Sequence, residues 1–391
     1  MTKRVSTICL IFFALAFSAL KASAQDVPWP TNGWTLSTPV DEGLSADPLH
    51  ELDRRVRDGD FGYIDRVVVV RHGRLVVNER YDNDYREISR GRTSQIGCGF
   101  DCADSSWDHQ FNYLHPDWHP YFQGRDVHTL QSVTKSVSAT LLAVAIRRGE
   151  INGVEVPLLP FLSGYDLSQV DSRLRGATLE DLLTMRTGIE WHESDRPIGD
   201  SNTTIQLERS LDWVQFTLRQ PMDAAPGEKW VYNSGGSQLM SAILRRVTGR
   251  TMDSYAEDHL FGPLGIQDYE WKLTPAGLPD ALGGLYMEAE ELAKIGYLYL
   301  HDGVWDGDRI LPEGWVKAAT ERQVEQPGYG YQWWRPDPAG VEVWAAQGFG
   351  GQFLLVLPEQ DIVAVINSWN VFGERFANLR DTLVDALVGG K

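Results

Sequence analysis

Cysteine is scarce, with three residues in 391, which excludes the disulfide-stapled scaffolds that hold small secreted domains together. Cys9 lies in an apolar leader, so Cys98 and Cys102 remain, separated by Gly99-Phe100-Asp101. In an oxidising compartment their default is a local disulfide. His109, His115 and His119 follow closely, but the spacings fit no zinc pattern, and no metal is expected. Positive charge is also short: 36 Lys and Arg against 54 Asp and Glu leave a net charge of -18. Such a surface repels polyphosphate, so nucleic acid is excluded as a partner. A Gly-x-Ser-x-Gly nucleophile elbow is absent. No long apolar run follows the first two dozen residues, so no later segment is expected to cross a bilayer.

That leader reads as a signal peptide over 1–24. Lys3 and Arg4 form the charged region, Ile8 to Leu20 the apolar region, and Ala22-Ser23-Ala24 the cleavage site. The run is too short for a membrane span. The expectation is a mature chain starting near Gln25, without a membrane anchor, in the periplasm or secreted. Its hydrophobic fraction of 42% suits a packed globular protein rather than a disordered one.

Arg66 to Tyr81 reads as a β-hairpin turning at His72-Gly73. Residues 82–124 are polar and aromatic without periodicity, an irregular insertion that suits the rim of a site or a surface loop. An apolar helix follows, with Val133, Val137, Leu141, Leu142, Val144 and Ile146 on most of its faces. Short helical patterns occupy the middle, among them Thr178 to Leu183, Ser210 to Leu218 and Gln238 to Thr248. From Tyr329 four strands are expected: Tyr329–Trp334, Val341–Ala345, Gln352–Leu357 and Ile362–Asn367. Phe376, Leu379, Leu383 and Leu387 then set a final helix against them. Short links between strands imply antiparallel pairing. The predicted fold is α+β: an antiparallel sheet flanked by helices, built from 25–156 and 286–391, with a mostly helical domain, 157–285, inserted.

Chemistry concentrates at Ser132-Val133-Thr134-Lys135. A serine and a lysine three apart share one helical face, and a lysine drawn into a core can help take the hydroxyl proton. The same spacing at Ser18 and Lys21 shows that the pattern alone is weak; the buried helix around Ser132 distinguishes it. The plainer role for Ser132 is a helix N-cap. A proton shuttle is available at Tyr232, in the loop Pro226-Gly227-Glu228-Lys229-Trp230-Val231-Tyr232-Asn233-Ser234-Gly235-Gly236. Trp191, Trp333, Trp334 and Trp369 are assigned to the core rather than to a substrate platform.

These motifs, with His128-Thr129-Leu130-Gln131, Leu182-Leu183-Thr184-Met185-Arg186-Thr187-Gly188 and Gly348-Phe349-Gly350-Gly351-Gln352, resemble the serine β-lactamase-related and penicillin-binding hydrolase superfamily. The wording is similar to its class C-like, esterase and 6-aminohexanoate-dimer hydrolase-like branch, over most of the chain from about Leu44. The resemblance implies a β-lactamase/transpeptidase-like fold. It implies Ser132 as the acylated nucleophile, Lys135 in the base network and Tyr232 as the shuttle. The backbone N–H groups of Ser132 and Phe349 would form the oxyanion hole, and Ser234, Gln347 and Gly348 would meet substrate. No metal or organic cofactor is needed.

Two departures matter. The third residue of the Tyr-x-Asn motif is Ser234, and the lysine of the Lys-Thr-Gly motif is Ala346 in Ala346-Gln347-Gly348. A class A deacylation glutamate motif is absent. The lost cation would bind a substrate carboxylate, worth about 1.5–3 kcal/mol, unless Arg335 replaces it. The expectation is therefore a secreted serine hydrolase of small-molecule esters or small amides. The alternatives are a β-lactamase or D-alanyl-D-alanine carboxypeptidase, and a silent peptide- or polymer-binding module of the same fold.

Overall fold

The computed structural model describes residues 28–90, 124–197 and 199–389. The leader 1–24, Cys98, Cys102 and the three histidines of the insertion lie outside them. In chain order the elements begin with β1 (Thr35–Leu36) and α1 (Ala46–Arg57), then β2 (Ile64–Arg71), β3 (Arg74–Arg80) and α2 (Tyr85–Ser89). Next come β4 (His128–Thr129), α3 (Val133–Arg147), α4 (Leu179–Leu183), α5 (Thr203–Glu208) and α6 (Trp213–Leu218). After α7 (Ser234–Thr248), α8 (Met252–Ala256) and α9 (Gly262–Leu264), the hairpin partners β5 (Tyr269–Trp271) and β6 (Leu285–Met287) lead into α10 (Ala289–Leu300). The chain closes with β7 (Val304–Trp305), β8 (Asp308–Arg309), α11 (Trp315–Thr320), β9 (Trp344–Gly348), β10 (Gln352–Leu357), β11 (Ile362–Ser368) and α12 (Leu379–Val388).

Among the described residues, six strands form the main sheet in the order β1-β3-β2-β11-β10-β9. The hairpin turns where expected, with His72 and Gly73 both at positive φ, the pairing that matches strand twist in a two-residue turn. β2 and β11 are adjacent and antiparallel, Val363 facing Val70 and Val365 facing Val68. Period-two alternation then divides their side chains. Val67, Val69, Ile362, Ala364 and Ile366 pack on one face with Leu49, Leu52 and Val56 of α1 and Leu383 of α12. Val68, Val70, Val363 and Val365 pack on the other with α3 and α10. Both faces are covered, which is why β2 and β11 read as unbroken apolar runs. Only β1 departs from the antiparallel rule, pairing parallel with β3. The fold is α+β, an antiparallel-rich sheet flanked by helices.

α3 is the buried axis of the molecule, with thirteen of its fifteen residues buried. Its apolar side chains join the core, and its small hydroxyls bond carbonyls of distant segments packed against it: Ser136 Oγ donates to Gln332 O at 2.6 Å, Ser138 Oγ to Ala281 O at 3.1 Å. α4 carries the acids of its first turn into a complete capping box between Thr178 and Asp181.

Two local expectations are corrected. Residues 329–334 form isolated bridges, not a strand, because Gln332 takes a positive φ of 60°. That kink turns the Gln332 side chain inward, where its Nε2 donates to Leu183 O at 2.8 Å and its Oε1 accepts from Ser237 at 2.8 Å. The strand expected at 341–345 starts later, at Trp344. The insertion also opens with the short helix α2, capped by Asp84 accepting from the Glu87 N–H.

Candidate active site

The approach to Ser132 is set by backbone geometry. β4 ends at Thr129, and Gln131 takes φ 47°, a left-handed turn that a side chain rarely adopts and that costs about 1–3 kcal/mol. Ser132 then occupies the N-cap position of α3 with helical dihedrals, but its hydroxyl caps nothing. Instead Lys135 Nζ lies 2.8 Å from Ser132 Oγ, and its second hydrogen bond, 2.7 Å, goes to the carbonyl of Leu282. Lys135 is 2% exposed. Both of those acceptors are uncharged.

Tyr232 completes the group. Its ring centroid is 5.2 Å from Lys135 Nζ, within range of a cation–π contact, and it stacks on Trp334 at 5.7 Å and 30°. Trp230 packs edge-on against both Tyr329 and Trp334. The loop is held from behind by the turn after α4: the Val231 N–H donates to Met185 O at 3.0 Å and the Gly227 N–H to Arg186 O at 2.8 Å. The 182–188 segment thus buttresses the loop that carries Tyr232. Trp334 is a wall of the site rather than core, whereas Trp333 and Trp369 are fully buried as expected.

Immediately after Tyr232 the roles split. Asn233 caps α7, its Oδ1 accepting from the Gly236 N–H at 2.7 Å. Ser234 faces a carboxylate that no motif had singled out: Ser234 Oγ donates to Glu193 Oε1 at 2.7 Å and its N–H to Oε2 at 3.0 Å. Trp191 Nε1–H donates to the same Oε2 at 3.0 Å. Beside this pair a cavity of about 250 Å³ is lined by Trp191, His192, Asp195, Trp230, Val231 and Tyr232. Hydrogen bonds to Asp195 and then Glu190 hold His192 above its ordinary pKa.

The opposite wall is β9. Ala346 is buried, and Gln347 and Gly348 are half-buried at the strand end. A Cβ at Gly348 would lie 2.4 Å from Leu130 O and 3.0 Å from Gln131 Cβ, so this strand touches the backbone just before Ser132. Phe349 follows, its carbonyl accepting from Gln352 Nε2 at 3.3 Å. Arg335 does not stand in for the missing lysine, because it is committed to Asp337 at 3.2 Å and Glu342 at 3.3 Å. Among the described residues no cluster of His, Cys, Asp and Glu could hold a metal, and no helix is long and apolar enough to cross a membrane.

Sequence reasoning did not find Leu282, Glu193 or the site role of Trp334. Leu282 acts through its backbone, which carries no sequence signal, and Glu193 stands 41 residues from the serine it binds.

A helix bearing Ser132 and Lys135, buried between an antiparallel-rich sheet and a helical layer that brings up Tyr232, defines a hydrolase of the β-lactamase fold. A family model described as Beta-lactamase matches residues 65–388, and the chain belongs to that family. It is 27% identical over 284 residues to 6-aminohexanoate-dimer hydrolase of Paenarthrobacter ureafaciens, covering 63% of this chain and 68% of that protein. A Bacillus anthracis protein proposed to be a 6-aminohexanoate-dimer hydrolase superposes with TM-score 0.64 at 16% identity, over 93% of this chain and 89% of its own. The penicillin-binding protein of Bacillus halodurans gives TM-score 0.59 at 16% identity, over 85% and 98%.

Proposed function

We propose that this chain is an exported serine hydrolase that opens esters or small amides through an acyl-enzyme on Ser132. The observation that carries the reading is the 2.8 Å contact between Lys135 Nζ and Ser132 Oγ, buried beside the Tyr232 ring. Proton transfer across that distance requires no rearrangement. Ser132 Oγ attacks the carbonyl carbon as its proton passes into the Lys135–Tyr232 network, and the carbonyl oxygen becomes an oxyanion. The backbone N–H groups of Ser132 and Phe349 stabilise that charge. Collapse breaks the bond to the alkoxide or amine, which Tyr232 protonates; water then attacks the ester on Ser132 and releases the acid.

Two features support uncharged acyl groups over anionic ones. The cation position on β9 is Ala346, and the position after Asn233 is tied to the Glu193 carboxylate. A penicillin or D-alanyl peptide would bring its carboxylate to a site without a fixed cation at that place and with a fixed anion nearby.

The test is hydrolysis of a short-chain chromogenic ester by the mature protein and by Ser132→Ala. Turnover in the first and none in the second, with matching circular dichroism, is expected. Retained turnover in the variant overturns the reading, and stable acylation by benzylpenicillin would shift it to the peptidase class.

A further inference from the structure

The carbonyl that orients Lys135 belongs to a turn, Asp280 to Leu285, built around one buried carboxylate. Asp280 is 0% exposed. Its Oδ1 accepts from the N–H groups of Leu282 and Gly283, each at 3.0 Å. Two backbone donors on one carboxylate oxygen fix the peptide between them, and with it the direction of the Leu282 carbonyl. The rest of the turn is pinned from both sides. Gln238 Oε1 accepts from the Ala281 N–H at 2.8 Å and its Nε2 donates to Pro279 O at 3.1 Å. Thr134 Oγ1 accepts from the Leu285 N–H at 3.2 Å, and the Leu130 N–H donates to Leu285 O at 2.9 Å. Gly284 closes against the acid: a Cβ there would lie 2.5 Å from Asp280 Cβ.

A second acid lies below. Burial, and after it the charge of Asp280, push Glu208 well above its ordinary pKa. The Asp280 Oδ1 that holds the turn stays the acceptor of the Leu282 and Gly283 N–H groups.

We propose that Asp280 is a positioning residue for the acylation step: it holds the Leu282 carbonyl against Lys135 so that the remaining valences of Nζ point at Ser132 Oγ. With one N–H committed to Leu282 O at 2.7 Å, the amine cannot rotate freely, and its 2.8 Å approach to the nucleophile is maintained. Without Asp280, two buried N–H groups lose their acceptor and the turn must re-form around other partners. This inference rests on the acyl-enzyme reading above. It assigns Asp280 no contact with substrate.

The experiment follows Ser132 labelling by an alkyl fluorophosphonate, and ester kcat and KM, in the wild type, Asp280→Ala and Asp280→Asn. Wild-type labelling is expected, because an activated serine is required. Asp280→Ala is expected to label about 100-fold more slowly, the effect of a displacement of about 1 Å in a catalytic group, with kcat reduced and KM unchanged. Asp280→Asn keeps an oxygen acceptor and is expected to restore most of the rate. Folded Asp280→Ala labelling at the wild-type rate overturns the proposal, as does an Asn variant as slow as Ala. If Asp280→Ala does not fold, Gln238→Met, which releases the same turn at Ala281 and Pro279, replaces it: labelling about tenfold slower is expected, and an unchanged rate overturns the proposal. A wild type that neither labels nor turns over ester removes the acyl-enzyme reading itself, a result separate from a defect confined to the variants.

Discussion

At position 348 a methyl group would meet backbone on one side and side chains on the other. The 2.4 Å approach to Leu130 O cannot be relieved by a rotamer change, because that carbonyl belongs to the chain leading into Ser132. Gly348→Ala should therefore force β9 away from the nucleophile and carry Phe349 with it. A fall in kcat of about 100-fold is expected, with a smaller loss in melting temperature, checked by ester kinetics and calorimetry. Residues of this kind were partly legible. Ser132, Lys135 and Tyr232 carry distinctive side chains at distinctive spacing, and the fold sets them within hydrogen-bond or ring-contact range of one another. Leu282 contributes only a carbonyl that every residue owns, and Glu193 reaches Ser234 from a loop whose path no local pattern describes. Trp334 looked like core because size and apolarity do not tell a buried wall from an accessible one.

Helix α7 shows how an element end can serve a site. Asn233 caps it through the Gly236 N–H, so the residue after Tyr232 has a fixed direction. Asn233→Ala should cost about 1 kcal/mol of stability and loosen the Tyr232 ring, with kcat falling more than KM changes. Asn233→Ser should recover most of the stability, since a hydroxyl also caps. Urea melts beside ester kinetics check both. Turn and helix signals were readable at this scale: the His72-Gly73 turn and the helices at Thr178 to Leu183 and Gln238 to Thr248 stand where their residues suggest. The aromatic alternation of 329–334 was misleading. It imitates a strand, but Gln332 breaks the extended backbone to bond α4 and α7, a tertiary demand that outweighs local preference.

For the molecule as a whole, acids crowd the junction between β6 and α10. Burial first, then the charges of Glu290, Asp126 and Glu291, push Glu288 up to about 7. Unfolded, this carboxyl would titrate near 4.5. Between those values the folded chain holds a proton that the unfolded chain releases, so stability is highest below about 4.5 for this group and declines as pH rises through about 7. The decline should be of order 2 kcal/mol or less. Glu288→Gln should flatten that part of the curve, and melting temperatures of both proteins across the range will show it; parallel curves would remove the assignment. The sheet was legible because its strands keep simple patterns: unbroken apolar runs in β2 and β11 and short links between β9, β10 and β11. The parallel β1 and the helices α1 and α10 went unread, since their places depend on partners far along the chain.

Pairing β2 with β11 also sets the timetable of synthesis. The two central strands are separated by about 300 residues, so a ribosome making about 5–20 residues per second leaves β2 without its neighbour for roughly 15–60 s. Throughout that interval the hairpin β2–β3 exposes an unsatisfied apolar edge. That edge stays unpaired until Ser368 emerges, and any truncation that removes β11 should leave an aggregating product rather than a smaller folded one.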